Sequence, residues 1–145
     1  MLNILIVYDE ISAGNILKIL IKKYIPIETE IEYCDSAQKA LDILPEFQPS
    51  LIMLDIEMPV MNGFDFLSLA PHDTFDVIFT TAFDKYTIKA IRFSALDYLL
   101  KPIGIEELRS AVEKFKRLNK DEYTKLVENI AASYQNITKQ HKARF

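Results

Sequence analysis

The sequence predicts an α/β fold: a doubly wound, five-stranded parallel sheet with helices on both faces and a C-terminal helical extension. Three observations support this. Five short strand-like segments alternate with segments of helical periodicity, the pattern of a parallel sheet joined by right-handed crossovers. The first, third and fourth segments are continuously apolar rather than alternating, as in strands covered on both faces. Four of the five lead directly into polar residues, Asp9, Asp55, Thr81 and Lys101, and the carboxyl edge of an open α/β sheet is where ligands bind.

The elements follow in order. Residues 3–7, Asn-Ile-Leu-Ile-Val, form the first strand and run into Tyr8-Asp9-Glu10, with a helix expected over residues 12–24. The second strand spans about residues 28–34 and includes Cys34, read as a small buried hydrophobe. Ser36 is placed to cap a helix over residues 36–44, its hydroxyl accepting from a free first-turn amide while Asp35 suits the positive end of the helix dipole. Leu51-Ile52-Met53-Leu54 is the third strand and opens into Asp55-Ile56-Glu57-Met58-Pro59-Val60-Met61-Asn62-Gly63. A carboxylate where a buried strand ends is costly to keep unless it does chemistry or binds a cation. A helix over residues 63–70 precedes the fourth strand, Val77-Ile78-Phe79, which ends in Thr80-Thr81-Ala82. A helix is expected over residues 85–93, the fifth strand over 96–100, and a last helix over 104–118 after Lys101-Pro102. Pro26, Pro45, Pro49 and Pro71 are all assigned to connections, where a missing amide hydrogen does least harm.

With 145 residues, half of them hydrophobic, the chain suffices for one well-buried core and is short for two ordinary domains. A net charge of -4 gives no electrostatic footprint for nucleic acid. No apolar stretch approaches the roughly 20 residues that span a bilayer. The single cysteine cannot form an internal disulfide, in keeping with a reducing compartment, and the chain is expected to be cytoplasmic. His72 and His141 lack metal-ligand spacing and read as surface residues.

Asp9-Glu10 after the first strand, the segment from Asp55 to Gly63, Thr80-Thr81-Ala82, and Asp97-Tyr98-Leu99-Leu100-Lys101-Pro102 together resemble the receiver domain of two-component response regulators. Residues 81–102 resemble more narrowly the receivers that precede a LytTR-type DNA-binding domain. The resemblance covers about residues 2–118, with four motifs in order at four strand ends. It implies a flavodoxin-like receiver domain over 1–118, followed by a helical linker or extension over 119–145 toward a DNA-binding domain outside these 145 residues.

The resemblance also implies a site. Asp55 would be the phosphoacceptor, with Thr81 and Lys101 completing the catalytic set. Asp9 and Asp55 would hold Mg²⁺ through their side chains and Glu57 through its backbone carbonyl, with Glu10 a further candidate; hard oxygen ligands with open water positions suit this ion. Thr81 and Tyr98 would form the switch, and the Lys101–Pro102 bond is a candidate for the cis form, which X-Pro bonds adopt at low cost. The expected partners are a sensor histidine kinase and, on activation, a second copy of the chain. No direct nucleic-acid contact, no membrane contact and no turnover beyond slow autodephosphorylation are expected.

One departure from the family pattern stands out. Receivers usually carry two adjacent acids where this chain has Tyr8-Asp9. A neutral phenol cannot supply the missing charge, so Mg²⁺ affinity should be lower than in a receiver with both acids. That departure motivates a second reading, a phosphorylation-independent interaction module. A third is an unrelated phosphatase on a flavodoxin-like sheet, which would turn over many times where a receiver modifies itself once. In the extension, Asn119 and Glu122 stand at capping-box spacing, and Tyr123, Val127, Ile130, Tyr134 and Ile137 form one apolar stripe. Packing back on the receiver, service as a linker, and self-association all fit that stripe.

Overall fold

The structure, a computed structural model, describes residues 1–71, 74–83, 85, 89–90 and 95–118. Five parallel strands form one sheet: β1 (Leu2–Val7), β2 (Thr29–Cys34), β3 (Leu51–Asp55), β4 (Asp76–Thr81) and β5 (Asp97–Leu100). Their spatial order is β2-β1-β3-β4-β5. The chain winds outward from β1 to β2, then returns to lay β3 on the other side of β1. This reversal leaves a crevice between the carboxyl ends of β1 and β3, the position where doubly wound sheets bind ligands. The register aligns Val7 with Leu54 and Asp55 with Thr80, so β1, β3 and β4 finish almost level. The expected topology is therefore present, with each strand starting or ending within two residues of its predicted bounds.

Burial explains why the inner strands are apolar throughout. Ile4 to Val7 on β1 and Leu51 to Leu54 on β3 are all inaccessible to solvent, as are Ile78 and Phe79 on β4. Each such side chain contributes about 1.5–3 kcal/mol relative to exposure. The Phe64 and Phe79 rings meet at 4.9 Å between centroids and 54° between planes, a tilted contact that aromatic pairs favour. Cys34 is buried and unpaired as a disulfide, as its place at the end of β2 predicts.

Helices α1 (Ile11–Tyr24), α2 (Ala37–Phe47) and α3 (Gly63–Leu69) connect the strands. Ser36 caps α2 as expected, its Oγ accepting from Lys39 N at 3.2 Å. Asp35 forms an ion pair with Lys39 at 2.9 Å. Pro45 corrects the sequence reading: it lies inside α2, not in the connection. A proline in the last turn removes a single helical hydrogen bond. The turn is retained because Ile43, Leu44 and Phe47 pack against the core around it, and Gln48, in the left-handed region, closes the helix by donating to the Leu44 carbonyl.

Of the helix expected over 85–93, residues 89–90 are helical and residues 84, 86–88 and 91–94 lie outside the described residues. Residues 105–118 are helical. The chain divides into two compact units, Met1–Val112 and Glu113–Phe145. In the second, 113–118 are helical, and the expected extension over 119–145, with its apolar stripe and His141, lies outside the described residues, as does His72. Among the described residues, no helix is long and apolar enough to cross a membrane.

Candidate functional site

Asp55 is the last residue of β3 and is only 3% exposed. Backbone hydrogen bonding fixes it there: the next amide, Ile56 N, donates to the Thr80 carbonyl at 3.0 Å, extending the β3–β4 ladder one step past the carboxylate. The loop then folds back through Gly63, whose N–H donates to the Ile56 carbonyl at 2.9 Å. A Cβ at Gly63 would stand 2.7 Å from the Asp55 carbonyl oxygen and 3.1 Å from Ile56 Cα. Only glycine permits that approach, so this residue sets how tightly the loop closes around Asp55. Asn62 and Asp65 complete a reciprocal capping box at the start of α3.

Both Asp55 oxygens are engaged. Oδ2 accepts from Lys101 Nζ at 3.0 Å, and Oδ1 accepts from Glu57 N at 3.3 Å. Burial raises the Asp55 carboxyl above the usual carboxylate range, and nearby Asp9 adds to the rise; the Lys101 hydrogen bond and charge and the Glu57 amide pull against it. Desolvation outweighs those attractions. Asp9, just past β1, is exposed, as are Glu10 and Glu57. Glu10 stands at the N-cap of α1 and makes no side-chain cap bond.

Lys101 follows β5, and its N–H donates to the Thr81 carbonyl at 2.8 Å. The Lys101–Pro102 peptide bond is cis. Its ammonium contacts a second group as well: Nζ lies 4.7 Å from the centroid of the Tyr8 ring, within cation–π range. Tyr8 is buried. Burial pushes its phenol far above the ordinary range, with the Asp55 charge adding to the rise and Thr80 opposing it. The Tyr8 and Thr80 hydroxyls are close enough to influence one another, yet both are buried outside hydrogen-bond geometry. The phenol that replaces an acid thus turns its hydroxyl into the core and its ring face toward the lysine.

The two switch candidates converge on one residue, Phe83. Thr81 is fully buried and its Oγ1 accepts from Phe83 N at 3.2 Å. Half-buried Tyr98 donates its hydroxyl to the Phe83 carbonyl. Phe83 itself was not legible as a functional position, because its part is played by backbone atoms, which carry no sequence signal.

The donor set suits a hard divalent cation. The Asp9 charge adds to the cost of ionising Asp55, and a divalent ion relieves that cost. Among the described residues there is no group of three or more His, Cys, Asp or Glu side chains placed to hold a metal. An ion held by these two acids would need main-chain carbonyl and water ligands besides, a set that Mg²⁺ accepts.

Comparison with known proteins agrees with this fold. Residues 4–113 match the response regulator receiver domain family. Sensory transduction protein LytT of Bacillus subtilis (strain 168) is 36% identical over 124 residues, covering 83% of this chain and 51% of that protein. Transcriptional regulatory protein BtsR of Salmonella typhi is 36% identical over 131 residues, covering 89% of this chain and 54% of that protein. The crystal structure of the response regulatory domain of protein mrkE from Klebsiella pneumoniae superposes with a TM-score of 0.71 at 25% identity, covering 83% of this chain and 99% of that one. The chain belongs to the response regulator receiver domain family of two-component systems. It spans about half the length of the curated relatives it matches.

Proposed function

We propose that the chain is a phosphate-operated switch in which Asp55 accepts a phosphoryl group from a sensor histidine kinase. The observation that carries this reading is the Asp55 carboxylate, buried at the carboxyl end of β3 and held by Lys101. An Asp55 oxygen attacks the phosphorus of a kinase phosphohistidine. The P–N bond breaks, the freed imidazole keeps the bond pair and takes a proton, and an acyl phosphate remains on Asp55. Charge in the transition state spreads over the phosphoryl oxygens. The Lys101 ammonium, already at Asp55, is free to follow one of them, and the Thr81 hydroxyl serves as a further donor. Mg²⁺, when bound by Asp9, Asp55 and the Glu57 carbonyl, supplies positive charge that neutralises part of the rest; Glu10 is the nearest further acid in sequence.

The output follows from Phe83, whose two flanking peptide groups are each bonded. A Thr81 hydroxyl drawn to the phosphoryl group releases Phe83 N–H, and Tyr98 is tied to the same residue through its carbonyl. Moving that loop shifts the anchor of the Tyr98 ring. The changed face would then pair two copies of the chain and drive transcriptional control through a following domain, with residues 119–145 as the connection. The chain modifies itself once per cycle and works in the cytoplasm.

Intact-mass spectrometry after incubation with acetyl phosphate and Mg²⁺ tests the reading. One added phosphoryl group is expected, absent in Asp55→Asn and in metal-free samples. No addition to the wild-type chain, while an active receiver labels in parallel, would favour a phosphorylation-independent module. The specific observation on that side is Tyr8, which stands where an acid is usual and faces Lys101 with its ring.

A further inference from the structure

Tyr33, near the end of the edge strand β2, makes a contact across to the loop that carries Asp9. Its hydroxyl donates to the Tyr8 carbonyl at 2.6 Å. β1 ends at Val7, so this carbonyl stands one residue past the strand and one residue before Asp9. The Tyr8 N–H is held from the same strand, by the Cys34 carbonyl at 3.2 Å. The peptide groups on both sides of Tyr8 are therefore tied to β2, one by main chain and one by a side chain.

The ring that delivers the hydroxyl is itself fixed. It lies against Gly14 in the first turn of α1, where an added Cβ would overlap Cε1 and Cδ1 of Tyr33. Gly14 N donates to the Glu10 carbonyl at 3.0 Å, closing the first turn of α1 directly after the loop. Tyr33 thus touches the segment 8–14 at both ends, bonding its entry and packing on its exit. Burial first, then the charges of Asp35 and Asp9, raise the Tyr33 phenol above its ordinary range, so it remains a protonated donor beside the acids.

We propose that Tyr33 is a positioning residue for Mg²⁺ binding: its hydroxyl, seated by Gly14, fixes the loop that presents Asp9 to Asp55. The proposal rests on the reading of Asp9 as a metal ligand. Its physical content is preorganisation. With Tyr8 in place of an acid, the Asp9 carboxylate carries more of the binding, and any freedom in its loop must be lost on binding. A hydrogen bond to a carbonyl is a modest interaction whose loss corresponds to roughly fivefold in an equilibrium constant.

The test compares wild type, Tyr33→Phe and Gly14→Ala in the full chain. Mg²⁺ binding is followed by backbone amide resonances of residues 8–14 and by calorimetry, and acetyl-phosphate labelling is measured at saturating Mg²⁺. Tyr33→Phe keeps the ring and should raise the Mg²⁺ dissociation constant about fivefold while labelling at saturation stays within about twofold. Gly14→Ala keeps the hydroxyl but displaces the ring, and should weaken Mg²⁺ in the same direction. An unchanged dissociation constant in Tyr33→Phe overturns the proposal, as does an equal fall in Mg²⁺ affinity and saturated labelling, which is the mark of general loosening. A wild-type chain with no saturable Mg²⁺ response would remove the metal reading and this proposal together; a wild type that titrates beside an unaffected Tyr33→Phe removes this proposal alone.

Discussion

Replacing Lys101 by methionine isolates what holds the buried Asp55 carboxylate. Methionine keeps an apolar stem against Tyr8 and removes the charge, so packing changes little. At 3.0 Å and an effective dielectric constant of about 20, two unit charges attract by roughly 5 kcal/mol. Part of that is offset by the desolvation of both groups, and removing one partner of a fully buried pair costs about 3–5 kcal/mol. Here the lysine side chain is 30% exposed and Asp55 keeps the Glu57 amide, so water and the backbone recover part of the loss. The expected destabilisation of Lys101→Met at neutral pH is about 2 kcal/mol, or roughly 6 °C in melting temperature for a chain of this size. Its pH dependence has a definite sign. The folded-state pKa of Asp55 is already raised, so its contribution to stability is present at low pH and is lost as pH rises through the folded value. Lys101 is the main group pulling that value down, and its removal raises it further. The penalty should therefore grow as pH rises through the carboxylate range and fade in acid, where Asp55 is protonated in both proteins. Thermal unfolding of wild type, Lys101→Met, Asp55→Asn and the double variant, in acid and at neutral pH, reads this directly. In the Asp55→Asn background the lysine change should cost less than about 0.5 kcal/mol. A drop of equal size in that background, or in acid, would refute the argument that the ammonium acts through the buried charge.

Two further outcomes are expected. Tyr8→Asp removes a buried ring and sets a second acid beside Asp55, so without metal it should lose about 3 kcal/mol, while Mg²⁺ should raise its melting temperature more than it raises that of wild type; an equal Mg²⁺ response in melts of the two proteins would contradict the account of Tyr8. Val60 lies at φ 71° with its side chain fully exposed, a left-handed conformation costing a β-branched residue about 1–2 kcal/mol. Val60→Gly should relieve that cost, offset by about 0.5–1 kcal/mol of added chain freedom, and raise the denaturation midpoint slightly; a lowered midpoint would show that the loop is not strained there.

The periodicities located all five strands because inner parallel strands must be apolar on both faces, and that requirement is written residue by residue. The end of α2 was harder to read. A proline ordinarily argues for a connection, but Pro45 sits in a last turn whose neighbours Ile43, Leu44 and Phe47 pack on the core, and long-range packing of this kind leaves no mark at the proline itself. The site was legible to the same degree. Asp55 and Lys101 stand out as polar residues at the ends of apolar strands, and the structure brings them to 3.0 Å. Tyr33 reads only as a strand aromatic; its part depends on a carbonyl 25 positions away in the chain.

By itself the sequence determined the strand and helix order and the chemistry gathered at the carboxyl edge of the sheet, since burial and periodicity are local constraints on residue type. Tertiary structure alone decided the rest. The β2-β1-β3-β4-β5 order opens the crevice between Asp9 and Asp55, the Tyr8 ring comes to face the Lys101 ammonium, Phe83 joins Thr81 to Tyr98, and Tyr33 reaches the Asp9 loop. These are contacts between distant segments, several through backbone atoms common to every residue, and they exist only once the sheet has assembled.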